Sequence, residues 1–134
     1  MSLLGIDYGT KKVGLAVSDE TETIAMPLAV LPNSPALLGA IGKVVAQRGI
    51  VGIVIGESKN LKWQDNPLMK RIHVFADELK KTFTVPITFE PEFFTTVAAK
   101  YGSEGKMIDA SAAALILQSF LDKRHKKKEL RSTN

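Results

Sequence analysis

Residues 50–56, IVGIVIG, form an unbroken apolar run between Gly49 and the polar stretch ESKNLKWQDNP. The run is far shorter than the about 18 residues that a membrane helix needs. A strand with apolar residues on both faces needs cover on both faces, so it belongs in the middle of a sheet flanked by helices. That requirement points to an α/β fold.

The rest of the chain supplies the parts. Residues 2–8 and 13–18 (VGLAVS) are strand-like, and YGTKK between them makes a β-hairpin turn at Gly9. A third strand is expected over 23–31, with Pro27 marking an edge position or a bulge. Residues 34–49 have a helical pattern: Ser34 as cap, Pro35 in the first turn, Leu37, Leu38, Ile41, Val44 and Val45 on one face, and Gly49 as the stop. After a polar loop (57–67), helical spacing resumes over 67–82 through Met69, Ile72, Val74, Phe75 and Leu79. A short strand over 86–92 is followed by a helix in FFTTVAAKYG, a loop in SEGKM and a last helix over 108–124. That last helix is apolar nearly all round and rich in Ala and Ser, which suits close backbone approach.

The order β-β-β-α-β-α-β-α-α predicts one mixed five-stranded sheet, three strands antiparallel and hairpin-linked and two parallel, with helices on both faces. Residues 1–124 are expected to form a single domain, and 125–134 a basic, flexible C-terminal tail. Placing the fourth strand beside the first creates a crevice at their carboxyl ends, where open α/β sheets bind ligands.

Composition narrows the chemistry. The chain has no Cys, which excludes a disulfide framework, a thiolate zinc site and a Cys nucleophile. MSLLGIDYG lacks the basic start of a signal peptide, and a cytoplasmic protein without membrane contact is expected. Net charge is +4, with six Lys/Arg against two acids in residues 122–131; this fits either a solvated terminus or a contact with nucleic acid.

Asp7 stands where the first strand wants an apolar residue. A carboxylate there costs several kcal/mol unless paired or bound to a cation. It therefore serves an Asx-type turn around YGTKK or ligates a metal. Glu57 at the end of strand four, Glu90 and Glu92 at the end of strand five, and Asp109 at the start of the last helix all fall on the same expected rim. Each alone has a structural explanation: Asp109 and Glu92 suit helix starts, and Glu57 suits a solvated loop. Together they suit Mg²⁺, which takes a few carboxylate oxygens and retains waters. Two such ions about 4 Å apart serve phosphodiester hydrolysis without Cys or His. His73 and His125 are bystanders in this scheme.

GIDYGTKKVGLAVSD (5–19) closely resembles the opening motif of the YqgF family, also called RuvX, and IDASAAALILQSFLD (108–122) resembles its closing motif. EFFTT (92–96) occupies the place of the family's Glu-Arg-Leu-Thr-Thr stretch. The resemblance implies an RNase H-like fold and a Mg²⁺-dependent nuclease (Mn²⁺ substituting) that processes precursor 16S rRNA. A Holliday junction resolvase acting on four-way DNA is the alternative. It assigns catalytic and metal-binding acids to Asp7, Glu92 and Asp109, and the Thr pair to Thr95 and Thr96.

Two departures stand out. Phe93 replaces the family's Arg, and GESKNLKWQDNP replaces its Gly-Leu-Pro loop. Glu57 lies where other junction resolvases of the superfamily carry a strand-four acid, so it is a further candidate catalytic and metal ligand that supplements or replaces Glu92. Lys11, Lys12, Lys59, Lys62 and Lys106 are candidates for the phosphate backbone of structured RNA or branched DNA, as are Thr95 and Thr96. Trp63 is a candidate to stack on a base. A monomer or homodimer is expected. The departures also fit a non-catalytic nucleic-acid-binding or ribosome-assembly module. An actin-like nucleotide-binding fragment, suggested by DYGT, needs more than twice this length.

Overall fold

The computed structural model describes residues 1–58, 67–92 and 107–132 of the 134-residue chain. Five strands, β1 (Ser2–Tyr8), β2 (Lys12–Ser18), β3 (Ala25–Pro32), β4 (Ile50–Ser58) and β5 (Ile87–Glu92), form one sheet in the order β3-β2-β1-β4-β5. β2 runs antiparallel to β1 and β3, whereas β4 pairs in parallel with β1 and β5. IVGIVIG sits inside the sheet, as its two-sided apolarity requires, and β1 is the central strand.

Helices α1 (Leu37–Gln47) and α2 (Pro67–Thr82) cover one face. Leu4, Ile6, Leu15, Ile53 and Ile55 meet Ile41, Ile72, Phe75 and Leu79 there. The last helix, α3 (Met107–Ser132), covers the other face, packing Ala113, Ile116, Leu117 and Leu121 on Leu3, Ala16 and Val54. Alternation along each strand therefore sorts residues between two cores. Among the described residues no helix is long and apolar enough to cross a membrane.

Boundaries differ from expectation for local reasons. Pro27 lies on the edge strand and beside a bulge: Leu15 pairs with Ala29 and Ala16 with Pro27, leaving Leu28 unmatched. α1 begins at Leu37 rather than at Pro35, because Ser34–Ala36 form a turn in which the Ala36 and Leu37 N–H groups donate to Ser34 oxygens. Gly49 does end that helical segment, at φ +60°. β4 runs on through Glu57 and Ser58, which had been expected in a loop, because β5 continues the ladder opposite them. α3 continues to Ser132, past the expected end at 124, since DKRHKKKELRS holds no Gly or Pro to stop it. The expected helix over 93–102 lies outside the described residues.

The β2–β3 turn is organised by one carboxylate. Asp19 accepts bonds from the Thr21 hydroxyl (2.6 Å) and from the Thr23 and Ile24 N–H groups (2.8 and 3.0 Å). These bonds, the Thr21 hydroxyl foremost, lower its pKa from 3.8 to about 2. A folded pKa below the unfolded one means that this ordering is present above pH 3.8 and is lost as pH falls toward 2. NMR titration of the Asp19 carboxyl should show a midpoint near 2, and Thr21→Val should raise it.

Candidate active site

Because β1, β3, β4 and β5 run one way, their carboxyl ends share a rim with the β1–β2 turn. The turn is tied down: Gly9 N–H donates to the Lys12 carbonyl (3.0 Å), and the Asn33 side-chain amide donates to the Gly9 carbonyl (2.8 Å). A Cβ on Gly9 would lie 2.6 Å from the Lys12 oxygen, so the turn requires glycine.

Asp7, half-buried, is the penultimate residue of β1 at this rim. It pairs with Gly14 of β2, and since Ile6 pairs with Ile55, its neighbour in β4 is Gly56. Both glycines are buried, and neither places a side chain beside the carboxylate. Asp7 shares the parity of Leu3 and Gly5, which face α3. Gly5 lets that helix approach: a Cβ there would stand 2.8 Å from Leu117 Cβ and 3.0 Å from the Ala113 carbonyl oxygen.

The direction of α3 places Asp109. Its start lies at the rim, where Ala110 lines a cleft with Lys12 and the Leu28–Pro32 segment. Its later turns lie toward the opposite end. Gln118 donates to the Thr23 carbonyl (2.9 Å) and accepts from Ala25 N–H (2.8 Å), and the His125 ring meets the Glu22 carbonyl (2.8 Å). From the Gly5–Ala113 crossing, Asp7 is two residues along β1, about 6.6 Å at the strand rise. Asp109 is four residues back along α3, about 6 Å at the helical rise. α3 runs against β1, so both displacements lead to the same rim.

Glu92 ends β5, paired with Ser58 and with the parity of Thr88 and Glu90. The chain has no Cys and hence no thiolate donor, and rim carboxylates suit a hard divalent cation. Among the described residues no group of three His, Asp or Glu side chains is placed to hold a metal. The side chains of Glu92 and Asp109 lie outside that set.

A family model described as "RuvX: Holliday junction resolvase" matches residues 1–123. The chain belongs to the RuvX family. Curated relatives bear the name "Putative pre-16S rRNA nuclease". One from Paracoccus denitrificans is 35% identical over 91% of this chain and 84% of its own length. Another, from Caldanaerobacter subterraneus, is 31% identical over 91% and 96%. Among solved structures, Thermus thermophilus RuvC bound to a Holliday junction superposes with a TM-score of 0.61 at 16% identity, covering 93% of this chain and 96% of that one. Fowlpox virus resolvase in complex with Holliday junction DNA gives 0.60 at 10% identity, covering 92% and 98%. These likenesses show the RNase H-like fold of RuvC, and the family shows an enzyme of the nuclease class, a hydrolase.

The remaining candidates of this RuvX chain divide. Glu57 reaches the rim, but the β4 ladder is regular through it, and its parity is that of Ile53 and Ile55, which face α1 and α2. Asp7 and Glu57 thus share the rim and not the face. Glu90, counted among the rim acids, is buried: it accepts from Ser119 (3.0 Å) and from the Lys123 ammonium (2.5 Å). It joins β5 to α3. Lys123→Met should leave a buried carboxylate short of its cation and lower stability by about 1–2 kcal/mol, read by urea unfolding. Lys11 and Lys12 are exposed at the hairpin turn. Lys59, Lys62, Trp63, Thr95, Thr96 and Lys106 lie outside the described residues. His73 packs on Phe89 with ring centroids 5.2 Å apart, consistent with its place outside the site.

Residue-by-residue reasoning passed over Gly14, Gly56, Asn33 and Gln118. The signal for the two glycines lay in register, since each interrupts an apolar strand opposite Asp7. Gln118 sits in the closing motif's ILQ and works as a clamp between α3 and the β2–β3 turn.

Proposed function

We propose that this RuvX chain hydrolyses phosphodiester bonds in structured RNA in the cytoplasm, with precursor 16S rRNA as substrate, through Asp7, Glu92 and Asp109 at the strand rim. The observation that carries the reading is the antiparallel run of α3 over β1 through the Gly5 crossing, which brings the positions of Asp7 and Asp109 to one end of one face. The name of the curated relatives supports the substrate.

Mg²⁺, with Mn²⁺ able to replace it, would supply activation of water and charge neutralisation at the scissile phosphate when held by these carboxylates. The residues' own share is to hold the acids in place and to position the strand. Gly14 and Gly56 place no side chain beside Asp7 from the two adjacent strands, and the clamped hairpin turn presents Lys11 and Lys12 to backbone phosphates. Among the acids, parity favours Glu92 over Glu57 as the β-strand partner of Asp7. Glu92→Gln should therefore lower cleavage at least about 100-fold, and Glu57→Gln less than about 5-fold, in a Mg²⁺ assay. Equal losses would place Glu57 in the site as well.

The test of the activity is a cleavage panel: precursor 16S rRNA and four-way DNA junctions, each with and without Mg²⁺ or Mn²⁺. Metal-dependent cutting of the RNA supports the proposal. Preferential cutting of junctions, which the family's description favours, would move the substrate to DNA. Binding without cutting would leave a ribosome-assembly module.

A further inference from the structure

The sheet face opposite α3 carries its own opening at the same rim. An open cleft of about 380 Å³ lies between the start of α1 with the turn that precedes it and the first three turns of α2. Asn33 and Ser34 line it on the side of the α1 turn, and Lys70 and Arg71 on the side of α2. The two cations are exposed, and the ion pairs among the described residues, Lys123–Glu90 and Arg124–Glu22, lie with α3 and include neither. The Ser34 hydroxyl oxygen accepts from Ala36 N–H (3.3 Å), which leaves its own hydrogen available to an acceptor in the cleft.

Between these polar groups the lining is apolar: Tyr8, Leu37, Leu38, Val74 and Phe75. Tyr8 leans on Phe75, ring centroids 4.7 Å apart at 34°, and Val74 is 60% exposed on the wall. Lys70, Arg71, Val74 and Glu78 form one stripe of α2, so the opening passes from cations at the rim, over an apolar middle, to a carboxylate about 10 Å along the helix. A volume of this size falls in the range of small-ligand sites.

We infer that this cleft takes one nucleotide of a nucleic-acid strand, its phosphate at Lys70, Arg71 and Ser34 and its base over Val74 toward Glu78. Phosphate matches the paired cations and the hydroxyl donor. A base covers the exposed Val74, and Glu78 can accept from its amino or imino N–H. Asn33 joins this cleft to the active-site rim, because the same side chain holds the Gly9 carbonyl of the hairpin turn. A strand leaving Asp7 across Lys11 reaches the cleft by passing over that turn. The cleft thus holds the flank of the strand, away from the bond that is cut. The inference rests on the nucleic-acid substrate proposed above.

The test is binding without divalent metal, so that loss of cleavage does not enter it. A fluorescent 12-nucleotide single-stranded RNA is titrated with the full chain at several salt concentrations, and the complex is mapped by backbone amide NMR. Lys70→Glu/Arg71→Glu, both on the exposed face of α2, should weaken binding about tenfold and flatten the salt slope by about 1. Val74→Ser, which keeps the charges and removes the apolar wall, should weaken binding several-fold with the slope unchanged. Amide shifts should appear at 33–38 and 70–78. Unchanged affinity in the charge-reversed protein, or shifts confined to the α3 face, would overturn the inference. Uridine 5′-monophosphate serves as the second probe: shifts at these residues with the mononucleotide and none with the RNA would mean a free-nucleotide site and would also overturn it. Failure of the activity itself would show instead as an RNA that maps to the cleft yet stays uncut once Mg²⁺ is added.

Discussion

Asp7→Asn should cut phosphodiester cleavage by at least about 10³-fold, some 4 kcal/mol in the barrier, with folding intact. Asparagine keeps the size and one acceptor oxygen of the native side chain but loses the charge that a divalent cation requires. Its neighbours across the ladder are Gly14 and Gly56, so the amide meets no crowding side chain in either adjacent strand. The measurement is single-turnover cleavage of precursor 16S rRNA with saturating Mg²⁺, beside thermal unfolding of both proteins. A variant that folds, binds RNA and cuts at the wild-type rate would remove Asp7 from the chemistry. A wild type that also fails to cut would favour the binding-module alternative.

The second large effect belongs to the sheet–helix crossing. Gly5→Ala should destabilise the protein by about 2–3 kcal/mol and lower its melting temperature by roughly 10 °C. The added carbon would meet Leu117 Cβ at 2.8 Å and the Ala113 carbonyl oxygen at 3.0 Å. Neither is the far end of a flexible side chain. A second-site Leu117→Ala therefore should not restore stability, because the obstructing Cβ remains. If Leu117→Ala did rescue Gly5→Ala, the contact would be with the leucine's outer atoms and α3 would sit farther from β1 than described. The variant should also lose activity beyond its loss of folded protein, since pushing α3 outward moves the first turn that carries Asp109 away from Asp7.

Much of this was legible in the chain itself, and the reason is physical. IVGIVIG reads as an interior strand because both of its faces are apolar, and its place beside the first strand was expected from the β-α-β order. Pro27 announced the edge and the bulge because it has no N–H to donate. The acids at strand ends were visible as breaks in apolar runs. What pattern alone could not deliver was parity and partnership. Glu57 and Gly56 differ by one place, yet that place decides which face of the sheet each belongs to, and the decision depends on a ladder that continues to Ser58. Glu90 looked like a rim acid until Ser119 and Lys123, about 30 residues away, enclosed it. The cleft between Asn33 and Lys70 joins two segments that no local spacing connects. α3 outran its expected end because charge repels but does not break a helix, whereas Gly or Pro would have.

The proposed chemistry depends on Asp7 and Asp109 sharing a bound cation at the strand rim. A crystal soaked in Mn²⁺ tests it directly through the metal's anomalous scattering. The expected result is a peak with carboxylate oxygens of both Asp7 and Asp109 at about 2.2 Å, lost in Asp7→Asn. A peak held by one of the two with the other turned away, or an active enzyme with no peak at this rim, would contradict it.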